Sequence, residues 1–166
     1  LDSRNDYEYN VGKFKNAVTL PIEKFKDFSK SADSLNEIKD KKIIMYCTGG
    51  IRCEKSSAYL KDKGFKNVLQ LKGGIIEYVQ KFPGQEFEGG LFVFDDRLVA
   101  ETGSESKIGK CKICEIPCNF YLDCHNLDCD KLFISCDDCR KNMNNTCSEE
   151  CKKSERIRPK ELSFVH

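Results

Sequence analysis

The sequence predicts an α/β domain followed by a small cysteine-rich segment. Over roughly the first hundred residues, short apolar runs alternate with longer amphipathic stretches, as in strand–helix–strand units whose strands pair in parallel. Nine of the eleven cysteines then fall between Cys111 and Cys151. The formal net charge is only +1, so no global field argues for nucleic acid or membrane as a partner.

The elements of the α/β part follow one another in order. Strands are predicted for the apolar runs NAVTL (16–20), KIIMYC (42–47), NVLQL (67–71) and LFVFDDR (91–97). Helices are predicted between them, for IEKFKDFSKSADSLNEIKD (22–40), CEKSSAYLKDKG (53–64) and GGIIEYVQKF (73–82). Gly64 and the Gly73–Gly74 pair mark a helix end and a helix start. The expected result is a parallel sheet flanked by helices.

Composition divides the chain into four parts. Residues 1–100 form the α/β domain, and the small, polar stretch 101–110 is a predicted flexible linker. The cysteine-rich segment covers 111–151, and a charged tail covers 152–166.

The first residues of the chain and the length of its apolar runs indicate its cellular location. No apolar run is long enough to span a membrane, and the polar first residues do not resemble a signal peptide. Because the chain begins with Leu rather than Met, we expect it to be a piece of a longer protein that lacks an upstream part. We expect a cytoplasmic location.

Cys47 is the candidate nucleophile. It ends a buried strand and precedes two glycines and the start of a helix, so that loop amides and the helix N-terminus can converge on its sulfur. Such a nest, with Arg52 nearby, should lower the thiol pKa from its ordinary value near ~8.5. The rest of the candidate loop is Thr48, Gly49, Gly50, Ile51 and Arg52. A buried structural cysteine is the alternative.

The size of this loop indicates which anion it holds. Tyrosine-phosphatase loops place five residues between Cys and Arg, whereas four separate Cys47 from Arg52. The tighter ring resembles the rhodanese active-site loop, which carries a persulfide on its cysteine. The opening LDSRNDYEYNVGKFKNAVTLP (1–21) and the closing KGFKNVLQLKGGI (63–75) also resemble rhodanese motifs.

The resemblance becomes more specific when the whole chain is considered. YCTGGIRCEKSSAYLKDKGF (46–65), FVFDDR (92–97) and the downstream cysteines together resemble the rhodanese-containing tRNA uridine hydroxylases. That resemblance implies oxygen-dependent formation of 5-hydroxyuridine at wobble position 34, with tRNA as substrate and molecular oxygen as co-substrate. It also implies a further domain before the rhodanese part, and a persulfide-bearing role for Cys47.

Cys53 is a second cysteine close to Cys47 in the sequence. Cys47 and Cys53 could form a regulatory or resolving disulfide, as redox cysteines often do in pairs. We expect the loop to hold the two sulfurs on different sides, in which case Cys53 is only a small residue at the helix start.

The cysteine-rich segment is predicted to bind about two structural zinc ions, because CxxC pairs supply thiolates at the spacing that a tetrahedral Zn²⁺ shell needs. The segment is also too short and too apolar-poor to fold without such a staple. The pairs could interleave, the first with the third and the second with the fourth, or pair sequentially. Cys118 and His125 could substitute for one ligand, and disulfides or free thiols are the alternative. The predicted ligands are Cys111, Cys114, Cys124, Cys129, Cys136, Cys139, Cys147 and Cys151.

Other polar motifs have weaker claims. Asp95, Asp96 and Arg97 could line the site, although an ion pair at a strand end explains them better, and Asp2 and Arg4 are expected to tie the first strand to its neighbours. Neither His125 nor His166 resembles a catalytic base. The charged side chains of the cysteine-rich segment could contact RNA or could simply be solvated, and the sequence favours neither. The candidate cations are Arg140, Lys141, Lys152, Lys153, Arg156 and Arg158.

Three functions remain open at this point. A tRNA uridine hydroxylase working through Cys47 is the leading one. A generic sulfurtransferase carrying a Cys47 persulfide is the alternative, and a non-enzymatic rhodanese and zinc binding module is the third.

Overall fold

The computed structural model describes residues 1–159, and residues 160–166, with His166 and the end of the predicted tail, lie outside the described residues. The chain forms short helices and strands. The α/β part contains α1 (Asp6–Tyr9), β1 (Gly12–Phe14), α2 (Phe28–Ser31), β2 (Lys42–Met45), α3 (Ile51–Asp62), β3 (Asn67–Gln70), α4 (Gly74–Lys81), β4 (Phe87–Gly89), β5 (Leu91–Phe92) and β6 (Val99–Ala100). The cysteine-rich part contains β7 (Tyr121–Asp123), β8 (Leu132–Ile134), α5 (Asp137–Asn142) and α6 (Glu149–Lys152).

The parallel pair β2–β3 is the centre of the α/β part. Ile43 lies opposite Val68 in the register, and α3 provides the crossover between the two strands. An isolated parallel bridge joins Asp2 to Tyr46, so the first residues of the chain, and not β3, pair with the end of β2. The predicted α/β class is therefore confirmed, and two of the predicted strands are present.

The predicted strand NAVTL is wrong. Residues 17–20 have no regular structure, although the backbone N–H of Asp2 donates to the carbonyl of Val18 at 2.8 Å. Apolar, β-branched composition favours a strand only where a partner continues the ladder. Here a single contact leaves the stretch extended but unpaired.

The long helix predicted for 22–40 is also largely wrong. The stretch forms a 3-10 turn (Phe25–Asp27), the single-turn α2, and a second 3-10 run (Ala32–Ile38). Serine and aspartate compete for backbone hydrogen bonds within a helix, as where the hydroxyl of Ser34 donates to the carbonyl of Ser31 at 2.7 Å. The apolar residues of the stretch still reach the core, where Phe28, Ala32 and Leu35 are buried.

The predicted last strand is shorter than expected. Only Leu91 and Phe92 are in a strand, which pairs antiparallel with β6, and residues 93–98 form the connecting loop. The carboxylate of Asp95 accepts a bidentate contact from Arg97, at 3.0 and 2.6 Å, on the exposed surface. These two side chains thus form a local ion pair, in line with the structural role.

The stretch 101–110, predicted as a linker, packs against β4. The hydroxyl of Thr102, which is buried, donates to the carbonyl of Gly89 at 2.5 Å, and the Gly89 N–H donates to Ser106 Oγ at 3.0 Å. Beyond it, a core of aromatic, aliphatic and cysteine side chains joins the α/β part to the cysteine-rich part; it includes Val11, Phe92, Cys111, Tyr121 and Ile134. The Tyr121 hydroxyl also donates to the carbonyl of Tyr7 at 2.8 Å.

Within residues 1–159, no helix is both long and apolar enough to cross a membrane.

Candidate functional site

The loop that carries Cys47 connects β2 to α3. Gly50 caps the helix with a φ of +95°, in the left-handed region where a Cβ is unfavourable. This turn directs the first N–H groups of α3 back toward the end of the strand. The positive φ at Gly50 explains why a glycine precedes the helix at this position.

Three backbone N–H groups converge on the Cys47 sulfur. Gly50 donates to it at 3.1 Å, and the amides of Arg52 and Cys53 lie close enough to help lower the pKa of its thiol. The side chain is only 2% exposed. The structure thus forms the predicted nest around a buried sulfur.

The pKa of Cys47 is lowered to about 5. The largest cause is a hydrogen bond from the Cys53 thiol; burial opposes it, and the three amides add to the lowering. At neutral pH the Cys47 side chain is accordingly a thiolate, the form that acts as a nucleophile.

The expectation that the loop separates the sulfurs of Cys47 and Cys53 is wrong. Cys53 lies in the first turn of α3, which carries its thiol back to Cys47, and its Sγ also lies 3.5 Å from the hydroxyl of Ser3. The neighbouring thiolate and burial raise the pKa of Cys53, which therefore stays protonated and serves as a donor. The sequence could not show this, because the helix phase at the loop was unknown.

Arg52 is engaged by a buried carboxylate. Its guanidinium forms a bidentate pair with Glu8, with Nη1 on Oε2 and Nη2 at 2.7 Å from Oε1. The Thr48 hydroxyl donates to the same carboxylate at 3.1 Å, and the Asn5 N–H at 3.1 Å. Burial lowers the pKa of Arg52, but Glu8 and, to a lesser extent, Cys47 raise it above its ordinary value. Arg52 consequently holds the loop in shape, and the Cys53 thiol is the largest single cause of the lowered Cys47 pKa.

Gly74 allows the start of α4 to pack against the backbone carbonyls of the Cys47 loop. The N–H groups of Ile75 and Ile76, at the start of α4, donate to the carbonyls of Cys47 and Thr48 at 3.0 and 3.1 Å. A Cβ on Gly74 would lie 2.6 and 2.5 Å from those two carbonyl oxygens. The Gly73–Gly74 pair, interpreted from sequence as a helix start, is thus also part of the active-loop architecture.

The eight predicted metal ligands form two groups of four. Cys111 and Cys114 meet Cys136 and Cys139, because the Lys112 N–H donates to the carbonyl of Ile134 at 2.9 Å and places the first pair beside the end of β8. The second group consists of Cys124, Cys129, Cys147 and Cys151. The pairs interleave, and the sequential alternative is wrong. Cys118 and His125 belong to neither group.

The spacing of these sulfurs suits a tetrahedral ion. Four sulfurs at ~2.3 Å from one Zn²⁺ would lie about 3.8 Å apart. The sulfurs of Cys114 and Cys136 are 3.7 Å apart, those of Cys129 and Cys147 are 3.7 Å apart, and those of Cys147 and Cys151 are 3.8 Å apart. These distances are far longer than the ~2.05 Å of a disulfide bond. Both groups could therefore hold a metal ion.

Two family models match the chain in succession. The model described as "Rhodanese-like domain" matches residues 1–81, and the model described as "Rhodanase C-terminal" matches residues 88–152. Among similar curated proteins, one from Buchnera aphidicola is 46% identical over 159 residues, which are 93% of this chain and 51% of that protein. Others from Cytophaga hutchinsonii and Escherichia fergusonii are 44% and 45% identical, covering 96% and 97% of this chain and 52% and 47% of those proteins. All three are named tRNA uridine(34) hydroxylase.

The chain thus contains a rhodanese-like domain followed by a rhodanase C-terminal region, and over nearly all of its length it is similar to proteins named tRNA uridine(34) hydroxylase. The resemblance found from the sequence motifs is thereby confirmed. The chain spans about half the length of the curated relatives that it matches.

The sequence motifs do not indicate the role of Glu8, and they place Cys53 wrongly. Glu8 lies 44 residues from Arg52, and only its place in the DYEYN motif could have drawn attention to it. Cys53 was noticed but was assigned to the wrong side of the loop. Asp2 and Arg4 lie where expected: they form a buried ion pair at 2.7 Å, and Arg4 also donates to the carbonyl of Gly12 at 2.6 Å.

The candidate RNA-binding cations of the cysteine-rich part are divided. Within residues 1–159, three of them pair with aspartates: Arg140 with Asp137, Arg156 with Asp128, and Arg158 with Asp130. No such pair is found in that range for Lys141, Lys152 or Lys153. Arg140 also stacks on Phe120 at 3.9 Å from the ring centre. Solvated ion pairs thus account for half of this charge.

Proposed function

We propose that this chain is part of an enzyme that hydroxylates uridine 34 of tRNA to 5-hydroxyuridine, with Cys47 as the reactive group and molecular oxygen as co-substrate. One oxygen atom enters the base, and an external thiol reductant supplies the two electrons that convert the other to water. The names of its relatives support the reaction and the substrate. The observation that carries the role of Cys47 is its sulfur, buried and surrounded by three amides and a thiol donor. A cysteine that merely packed the core would not need this set of donors.

Each loop residue then has a distinct task. Cys53 and the amides hold Cys47 as a thiolate, ready to form a covalent bond or to carry a sulfur atom. Glu8 and Thr48 fix Arg52, so that the loop keeps its shape without substrate. Gly74 allows α4 to support the carbonyl side of the loop.

We infer that both cysteine groups hold zinc in a structural role. A closed shell of four thiolates leaves no open position for water, substrate or oxygen. The first group packs against Phe92 and Val11, so its ion would also fix the junction with the α/β part. The chemistry on uridine is therefore assigned to the Cys47 loop.

A sulfurtransferase is the second candidate, and the loop itself favours it. Four residues between Cys47 and Arg52 make a ring suited to one terminal sulfur rather than to a phosphate ester. The expected behaviour is formation of a Cys47 persulfide from a sulfane-sulfur donor, reversed by a reductant, with no hydrolysis of aryl phosphates. Hydrolysis through Cys47 without sulfur uptake would place the loop with the phosphatases.

The test of the hydroxylase proposal uses the intact purified protein and an anticodon stem-loop RNA. Mass analysis of nucleosides should detect 5-hydroxyuridine with the wild type in air, and should not detect it without oxygen or with Cys47→Ser. Cys118→Ser is the matched control, since it removes a buried cysteine that lies outside the loop and outside both metal groups. Persulfide formation without any RNA product would favour the sulfurtransferase.

A further inference from the structure

Phenylalanine 94 is an exposed aromatic side chain beside the active loop. It lies in the β5–β6 loop, within the FVFDDR motif, and it is 68% exposed. Its ring centre lies 5.9 Å from the Cζ atom of Arg52, and its edge meets Phe92 at 5.3 Å between ring centres. Phe94 thus packs against Phe92 on one side, while most of its ring remains open to solvent.

The surroundings of Phe94 connect it to Cys47. Arg52 touches Phe94 on one side, while the Cys47 sulfur acts on the same guanidinium electrostatically. The loop also contains Ile51, which is 79% exposed, so a second large apolar side chain is accessible in the segment that carries the buried Cys47.

The nearby charges do not provide a phosphate site. The carboxylate of Glu8 neutralises Arg52, and that of Asp95 neutralises Arg97. Contact with a nucleic acid backbone depends on free cations. An apolar ring, by contrast, offers a stacking surface to any unpaired base. The face available beside Cys47 therefore suits a base rather than a phosphate.

We propose that Phe94 is a positioning residue, on whose ring the uracil base of the substrate stacks as it is presented to Cys47. This inference rests on the proposed function, in which the target is an unpaired base of the anticodon loop. Bases in single-stranded loops are commonly splayed out and stacked on aromatic side chains. The Arg52 guanidinium beside the ring holds it in place through a cation–π contact.

The experiment compares steady-state hydroxylation of an anticodon stem-loop by the intact wild-type protein and by Phe94→Ala, Phe94→Leu and Phe94→Trp. Removal of one base-stacking contact corresponds to a loss of about 5- to 150-fold in affinity. Phe94→Ala and Phe94→Leu should lower kcat/KM by such a factor, mainly through KM, because Leu keeps the apolar volume but not the π face. Phe94→Trp should retain the wild-type value.

Two readouts separate stacking from a structural effect. The rate of Cys47 alkylation by iodoacetamide should be unchanged in all three variants. The thermal midpoint should fall by no more than a few degrees, because the ring loses only its contacts with Phe92 and Arg52 at the surface. Phe82→Ala is the control, because Phe82 is also exposed and contacts only Tyr78 among the aromatic rings of residues 1–159.

The outcomes are distinguishable. If the wild type leaves uridine unmodified, the proposed function fails and this inference fails with it. If the wild type is active and Phe94→Ala matches Phe82→Ala, only this inference is overturned. Full activity of Phe94→Leu would also overturn it, since an apolar contact would then suffice.

Discussion

Replacement of Arg52 by alanine should destabilise the fold and not merely weaken the active loop. From the sequence, this change would only remove a charge near Cys47. In the structure it leaves the carboxylate of Glu8 fully buried without its cation, with only the Thr48 hydroxyl and the Asn5 N–H as donors.

The size of the effect follows from burial. Removing one partner of a buried ion pair costs about 3–5 kcal/mol, because the other charge remains desolvated. The Arg52 side chain is 18% exposed, so water reaches its end of the pair and the lower limit, about 3 kcal/mol, is expected. Glu8→Gln should cost less than Arg52→Ala, since the guanidinium that remains is partly hydrated.

Urea unfolding of four variants tests this reasoning. The double variant Arg52→Ala/Glu8→Gln should be more stable than Arg52→Ala alone, because a neutral amide needs no counter-charge. Arg97→Ala breaks an exposed ion pair with Asp95 and should leave the unfolding midpoint unchanged. The argument is refuted if Arg52→Ala unfolds at the same urea concentration as Arg97→Ala, or if the second substitution brings no recovery.

Three further predictions concern the loop and the metal groups. Gly74→Ala should disrupt the loop and lower the unfolding midpoint, because Gly74 has a φ of +63° and a Cβ there would meet two carbonyl oxygens. Gly49→Ala should be tolerated, since nothing lies within 4 Å of a Cβ at that position; equal midpoints for the two variants would refute the prediction. The alkylation rate of Cys47 should rise as the pH passes through about 5 and stay level above it, since deprotonation creates the nucleophile. Cys53→Ala should move this midpoint upward, toward the pKa of an ordinary thiol; an unshifted midpoint would exclude Cys53 as the donor. Removal of metal by a chelator should unfold residues 111–151, as measured by hydrogen exchange, while the separate core of Leu60, Phe65 and Val68 stays protected. Unchanged exchange in 111–151, or the absence of zinc in elemental analysis, would contradict the zinc assignment.

The parts of the site that the sequence predicts are those built from near neighbours. The amides that donate to Cys47 come from the next six residues, so the glycines and the helix start were enough to foresee them. The CxxC pairs are likewise local. Which pairs share a metal ion is not local, because it depends on the contact of Lys112 with Ile134 that brings the first pair beside the third.

The features that the sequence does not predict depend on distant contacts or on the phase of a helix. Glu8 reaches Arg52 only because α1 packs beside the loop, and Cys53 reaches Cys47 only because α3 begins at Ile51. The packing of the first metal group against Phe92 also joins segments far apart in the chain. NAVTL shows the converse, since its strand-like composition found no partner strand.

The proposal that Cys47 is the reactive group of a uridine-34 hydroxylase can be tested in cells. The most direct measurement is mass analysis of tRNA nucleosides from cells that lack the gene and express the wild type, Cys47→Ser or Cys118→Ser at equal levels. We expect 5-hydroxyuridine with the wild type and with Cys118→Ser, and none with Cys47→Ser. Wild-type levels of 5-hydroxyuridine with Cys47→Ser would contradict the proposal.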